Sequence, residues 1–231
     1  MSADQPQPDL KPIVIIGAGE NADIAYEYFT HDSARTIVGF AVEAEYRRAD
    51  EHQGLPLIDL ADLPERFPSE QYDTFVAISS TQLNRVRQRL FQHVKALGYT
   101  CASYVSSHAF VWHNVHVGEN TFIFEANVVQ HHVEIGDNVV LWSGNHIGHR
   151  TRIGDHAFLS SHVVVSGYCT IGEYTFMGVN SCVGDGVTIE RDNVVGAGAV
   201  VVKDLPARGV YVGNPAKPTG RDSFDSFGVA Q

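Results

Sequence analysis

Residues Val111–Asp204 read VWHNVH VGENTF IFEANV VQHHVE IGDNVV LWSGNH IGHRTR IGDHAF LSSHVV VSGYCT IGEYTF MGVNSC VGDGVT IERDNV VGAGAV VVKD. Split into sixes, every line from Val111 to Val201 opens on Val, Ile, Leu or Met. The fifth place is small, β-branched or Asn: Val115, Thr121, Asn127, Val133, Val139, Asn145, Thr151, Ala157, Val163, Cys169, Thr175, Ser181, Val187, Asn193, Ala199. Helices repeat their side-chain pattern every 3.6 residues and strands every 2, so a period of six is neither. It fits a coil of short flat faces, each sending one aliphatic side chain inward and turning on a glycine or a polar residue. Three faces return the chain to its starting column, so residues i and i+18 stack. The register holds for about five coils, a hexapeptide β-helix.

The remaining composition sets limits. A chain of 231 residues can hold two domains with their own cores. With 16 basic and 27 acidic residues the formal charge is −11, which argues against nucleic acid and anionic membranes as partners. A small anion can still be met by a local basic pocket. Cys101, Cys169 and Cys182 form neither a zinc pattern nor a disulfide framework. Cys169 and Cys182 fall in repeat lines, as small buried residues do. No apolar run approaches the roughly 18 residues that span a bilayer, and MSADQPQPDL lacks the basic and apolar regions of a signal peptide. A cytoplasmic protein without membrane insertion is expected.

Ahead of the repeat, strands and helices alternate. KPIVIIGAG (Lys11–Gly19) is a buried strand ending in a glycine turn. A helix should start near Glu20 or Asn21, with Ile24 and Tyr28 toward the sheet. TIVGFAVE (Thr36–Glu43) is a second strand. Residues 44–72 look irregular, punctuated by Gly54, Pro56, Pro64 and Pro68, with one short helix near Leu60. DTFVAIS (Asp73–Ser79) is a third strand. Gln82–Leu97 is a helix with Val86, Leu90, Val94 and Leu97 in one stripe, and Tyr99–Val105 returns as a strand. The alternation predicts an α/β unit with a small parallel sheet of Rossmann type, ahead of the all-β coil. The expected divisions are a flexible N-terminus over 1–10, an α/β domain over 11–105, the β-helix over 106–204 and a tail over 205–231.

Two places carry chemistry. Gly17 and Gly19 let backbone N–H groups approach a phosphate at a helix N-terminus, or else only permit a tight turn. Ala22 stands where a dinucleotide fingerprint has its third glycine, which disfavours NAD. The other place is a histidine cluster: nine of the twelve histidines lie between His108 and His162. His113, His131 and His149 share one column, with Gly167 next. Histidine is the side chain best suited to take a proton near neutral pH. No carboxylate or cysteine joins the column, so no metal is expected there.

IIGAGENA, GNHIGHRTRIGD and the closing VGNPAK together resemble the two-domain hexapeptide-repeat sugar acyltransferases. That family includes the sialic acid O-acetyltransferase type and the nucleotide-amino-sugar N-acetyltransferases of the bacillosamine and perosamine pathways. The resemblance spans roughly residues 11–218. It implies a left-handed parallel β-helix, a homotrimer, and acetyl-CoA lying between two β-helices. The acceptor would be a nucleotide-linked amino sugar used in surface polysaccharide biosynthesis.

The resemblance also assigns residues. His149 matches the family's general base. Many members follow it with an acidic residue that orients the ring, whereas here Arg150 follows, leaving Glu134 or a backbone carbonyl to do so. Gly17, Gly19, Glu20 and Asn21 match the nucleotide loop, usually GAGGHA, with Glu43, Ser79 and Ser80 bordering the same crevice. His131, one coil from His149 in the same column, is either a second contact to the sugar or a wall residue, and Asn145 is counted with it among the substrate-binding positions. Gly178, Gly196, Ala197 and Gly198 match small positions along the pantetheine groove, and Lys217 stands where a cation meets a CoA phosphate. For Gly196 and Gly198, corner turning alone accounts equally well for the glycine. Two alternatives share these features: an O-acetyltransferase acting on a sugar hydroxyl, and a non-catalytic trimer that binds a nucleotide sugar.

Overall fold

A computed structural model of the chain describes residues 10–229; the flexibility expected of residues 1–9 lies outside the described residues. Strand β1 (Ile13–Ile16) is buried along its whole length, as a central parallel strand must be. It pairs in parallel with β2 (Ile37–Val42) and β5 (Asp73–Val76). With β3 (Glu51–His52) and β4 (Leu55–Asp59) the sheet order is β3-β4-β2-β1-β5. Alternate β1 residues feed two cores. Ile13 and Ile15 pack with α1 (Glu20–His31), and Val14 and Ile16 pack with α3 (Arg85–Ala96).

Four expectations are corrected here. The stretch 44–72 is ordered, with β3, β4, a 3-10 turn at Leu60–Asp62 and helix α2 (Leu63–Arg66). Pro56 does not disqualify β4, because the parallel ladder with β2 begins one residue later, at Phe40 opposite Leu57. In α1 the fully buried positions are Ala22, Ala25 and Phe29, while Ile24 and Tyr28 are only partly buried. Tyr28 packs its ring 5.7 Å from Phe122 of the β-helix, so α1 serves two partners. Leu97 lies beyond the end of α3 and is exposed, whereas Arg87 of α3 is buried and donates through Nη2 to the carbonyl of Asn120. The strand expected over Tyr99–Val105 divides. Cys101 bridges Thr74 at the sheet edge, and Tyr104–Val105 opens the β-helix by pairing with Phe122–Ile123.

The coil follows the sixes without a slip. Glu134 and Ile135 pair with Arg152 and Ile153, and the rungs up to Val201 likewise join residues eighteen apart. All line-opening residues from Ile123 to Val201 are buried in one core, and Val111 and Val117 pack against its open end. The fourth place of each line takes a left-handed conformation, from Asn120 (φ 53°) through Arg150 (φ 57°) to Gly198 (φ 67°). Non-glycine residues pay roughly 1–2 kcal/mol for that conformation, so glycine, Asn and other polar residues collect there. The coil also continues beyond Asp204. Leu205 bridges Ile189, Gly209–Val212 pairs with Val194–Val195, and Lys217–Asp222 returns antiparallel before α4 (Ser223–Phe227). Much of the expected tail is therefore the last turn of the coil.

The residue before each line opening points outward, and its character repeats every third line. One face presents Tyr104, Phe122, Val140, Phe158 and Phe176, and this face takes the α/β domain. Asp32 at the end of α1 locks the joint, accepting from Tyr104 Oη, from Ser106 Oγ (3.1 Å) and from the Ser107 amide (2.9 Å). Those hydrogen bonds hold its carboxyl well below the usual carboxylate range. The second face presents Phe110, Val128, His146, Val164, Cys182 and Val200, of which Phe110, Val128 and Val164 are exposed. The third presents His116, Glu134, Arg152, Thr170 and Thr188 to solvent.

His156 sits where α3 meets the coil. Its carbonyl accepts from Asn84 Nδ2 (2.6 Å) and its Nδ1 accepts from Asn138 Nδ2 (3.0 Å). Burial pushes its pKa down from 6.5 to about 4. Between those values the unfolded chain takes up a proton that the folded chain refuses, so stability falls as pH drops through that window. The loss should reach roughly 2–3 kcal/mol between pH 7 and 4.5. Urea unfolding at both pH values should show a smaller acid loss in His156→Asn than in the parent. Equal losses in both proteins would contradict this account.

Candidate active site

His149 occupies the third place of its line, just before the left-handed corner at Arg150. It lies at the edge between the apolar outer face and the polar one. The ring is half-buried and is fixed on several sides. Gly167, the next residue of the column, lies directly against it: a Cβ at Gly167 would stand 2.6 Å from His149 Cε1. His131, one coil earlier, stacks at 5.4 Å between centroids with planes 25° apart. Tyr168 presents its ring at 5.0 Å and 82°. The Oε1 of Gln130 accepts from the His149 amide at 2.9 Å and lies 3.1 Å from His149 Nδ1.

This overturns one expectation. Glu134 does not orient His149, because its carboxylate is paired with Arg152 on the polar face at 3.1 Å. Gln130 takes that place. Nothing local in the sequence marks it, since it precedes His149 by one coil plus one residue. His131 is exposed and its Nδ1 lies 3.0 Å from that of His132. Desolvation, then the nearby His132, His149 and Arg150, keep the His131 pKa below its ordinary value.

Asn145 is a second correction. It is 1% exposed, donates to the Trp142 carbonyl (2.6 Å) and accepts from the Val163 amide (2.7 Å). Its fifth place in the line marks it as inward, and a side chain spent on the coil interior cannot touch a substrate.

Gly196, Ala197, Gly198 and Lys217 gather at the other edge of the apolar face. Gly196 donates to Tyr211, and the VGNPAK segment folds back so that Ala216 donates to Val200. Ala197, Gly198 and Lys217 are exposed. Gly178 is buried, and a Cβ there would meet the Ala197 nitrogen at 2.5 Å, so coil stacking alone requires that glycine. A six-residue face spans at most ~20 Å. One chain therefore sets His149 and this second cluster on opposite edges of the same face.

The glycine turn borders a separate cleft of about 520 Å³, lined by Gly17, Gly19, Glu43, Tyr46, Ile78, Gln82 and neighbouring residues. Gly17 has φ +132°, and a Cβ would strike the Ala77 carbonyl at 2.8 Å; at Gly19 nothing lies within 4 Å of a Cβ. The first glycine thus serves the fold, whereas the second leaves the N-terminus of α1 open to approach. Arg89 grips Glu43 with two bonds of 2.7 and 2.8 Å and so lowers the Glu43 pKa. Glu20 is exposed outside the cleft, Asn21 faces a smaller cavity between the domains, and Ser79 and Ser80 are half-buried beyond the lining. Among the described residues no His, Cys, Asp or Glu group is placed to hold a metal ion, and no helix is long and apolar enough to cross a membrane.

The repeat matches the family model for bacterial transferase hexapeptide (six repeats) at residues 114–149 and 132–167. Among solved structures, a mutant of perosamine N-acetyltransferase from Caulobacter crescentus, in complex with CoA and GDP-perosamine, is 31% identical with a TM-score of 0.82. That alignment covers 91% of this chain and 97% of the other. The acetyltransferase domain of PglB from Neisseria gonorrhoeae, in complex with acetyl coenzyme A, is 26% identical with a TM-score of 0.80, covering 90% and 99%. A putative acetyltransferase from Schizosaccharomyces pombe is 61% identical over 33 residues; that match spans 14% of this chain and 16% of the relative. The chain belongs to the two-domain hexapeptide-repeat sugar N-acetyltransferases. It is an acyl-transfer enzyme.

Gly167 provides a test of the site that leaves the fold alone. Its φ is not in the left-handed region, so alanine suits the backbone, but the new methyl must displace the His149 ring. A shift near 1 Å can cost up to about 100-fold in rate. Gly167→Ala should lower kcat by about 10- to 100-fold with a melting temperature close to the parent's. A variant of normal kcat would show that the ring position is immaterial.

Proposed function

We propose that this enzyme transfers an acetyl group from acetyl-CoA to the amine of a nucleotide-linked amino sugar, in surface polysaccharide biosynthesis, with His149 as general base. The observation that carries the proposal is the half-buried His149 imidazole, packed on Gly167 and bonded by Gln130, in a chain of this family. The Caulobacter relative binds CoA and GDP-perosamine, and the cleft beside Gly17 and Gly19 suits the nucleotide end of such a molecule.

A sugar amine is largely protonated near pH 7 and cannot attack until it loses a proton. An imidazole within hydrogen-bond reach takes that proton, and the free amine adds to the thioester carbonyl. The new C–N bond forms as the carbonyl oxygen becomes an oxyanion, which a backbone N–H stabilises. Collapse breaks the C–S bond, the imidazolium returns its proton to the departing CoA thiolate, and the second proton of the acylated nitrogen is released through the freed imidazole to solvent. Gly196, Ala197 and Gly198 leave room for the pantetheine arm, and Lys217 supplies a cation for a CoA phosphate.

The working unit is a homotrimer. His149 and the Gly196–Lys217 cluster flank the face bearing Phe110, Val128 and Val164, whose exposed side chains a second copy would cover. The edge of one copy then meets the opposite edge of another, and the groove is complete only between chains. Sedimentation should give three chains per particle; a fully active monomer would sink the shared groove.

His149→Ala should lower kcat by roughly 10²- to 10⁴-fold, the usual range for general-base loss. KM for acetyl-CoA should hold near the parent value, and the kcat/KM profile should lose its acidic limb. Thiol release with UDP-, dTDP- and GDP-linked amino sugars and with sialic acid identifies the acceptor. Near-normal kcat in His149→Ala, with loss in His131→Ala or His146→Ala, would reassign the base.

A further inference from the structure

The same oxygen of Gln130 meets two groups of His149, and together they settle the proton on the ring. A backbone N–H can only donate, so the Gln130 atom 2.9 Å from the His149 nitrogen is the amide oxygen and not the amide nitrogen. That oxygen lies 3.1 Å from Nδ1. An amide oxygen only accepts, so in the neutral ring Nδ1 carries the hydrogen and Nε2 keeps the lone pair. Neutral histidine in water favours the opposite tautomer, with hydrogen on Nε2. Left free, the ring would thus spend most of its time unable to accept a proton at Nε2.

The other groups facing the ring do not fix this tautomer. His131 offers the face of its ring, with His132 behind it; Tyr168 offers its own ring, and Gly167 has no side chain. Arg150 is exposed at the corner and carries a positive charge. Among the described residues no carboxylate hydrogen-bonds to His149, and Glu134 is held by Arg152.

We propose that Gln130 is the positioning residue of His149: its carbonyl selects the Nδ1–H tautomer and frees Nε2, without setting a negative charge beside the ring. A carboxylate in that position would favour the same tautomer but would also stabilise the imidazolium. The neutral amide separates the two effects. The imidazolium formed on taking the proton then has no neighbouring anion among the described residues to hold that proton in place.

This inference rests on His149 being the base, and the experiment separates the two. In ¹⁵N-labelled parent enzyme at pH 8, the His149 ring should show a protonated Nδ1 and a bare Nε2; hydrogen on Nε2 would overturn the proposal without any variant. Gln130→Leu should lower kcat by about 10- to 100-fold, with KM for acetyl-CoA within about twofold, and should let the ring signal shift toward Nε2–H. Gln130→Glu keeps the acceptor oxygen. It should recover most of kcat at high pH while moving the acidic limb of kcat/KM upward by about one pH unit. If His149→Ala is inactive while Gln130→Leu keeps the parent kcat and ring signal, this inference alone fails. If His149→Ala is active, the assignment of the base fails and this inference falls with it.

Discussion

The second domain depends on one constraint: backbone hydrogen bonds join each rung of the coil, up to Val201, to residues eighteen further on. Once that register is set, inward columns must be apolar or must satisfy their own polar groups. The interior asparagines show the second solution, Asn145 and Asn193 completing it by accepting through Oδ1 from the amides of Val163 and Gly209. Asn127, Asn145 and Asn193 are buried, and each donates to the carbonyl three residues back. A slip of one residue would turn such a ladder outward and bury the charged outer positions, at several kcal/mol for each unpaired charge. The register therefore has no near competitor.

The three outer faces then divide the work. An aromatic face holds the α/β domain through Tyr28, Phe29 and the Asp32 joint. A charged face meets solvent. An apolar face lies between two edges, and those edges carry His149 on one side and the Gly196–Lys217 cluster on the other. Docking the α/β domain on the first face leaves the apolar face open along its length. The cleft beside Gly17 and the histidine edge are thus built by different domains of one chain, held in fixed relation by packing and not by a flexible linker.

The environment of His149 departs from the expected pattern in a physically coherent way. Arg150 cannot orient the ring, because it occupies the left-handed corner and points to solvent. Gln130 reaches across from the preceding coil instead. Gly167 belongs to the same arrangement, since only a residue without a side chain lets the ring lie against the next coil. Within the column His113, His131, His149, Gly167, the rings of His131 and His149 stack, and the bare backbone of Gly167 lies against the His149 ring.

Much of this was legible in the sequence. The sixes fixed the coil, its core and the i+18 columns, because a period of six leaves no alternative fold. They also placed His149 beside His131, but the expectation of Asn145 as a substrate contact overlooked that its fifth place sends it into the coil. The glycine turn and the alternating strands outlined the first domain, although Pro56 concealed β4. The outer residues Phe122, Val140, Phe158 and Phe176, recurring every third line, carried the docking face in plain view. Three things were decided only by the tertiary structure: the bond from Gln130 to His149, the grip of Arg89 on Glu43, and the placing of His149 and the Gly196–Lys217 cluster on opposite edges of one face. Each joins residues 19, 46 or more positions apart through side chains whose direction no local pattern specifies. Periodicity reports which way a backbone position faces; it does not report what a long polar side chain reaches once neighbouring coils and domains have closed around it.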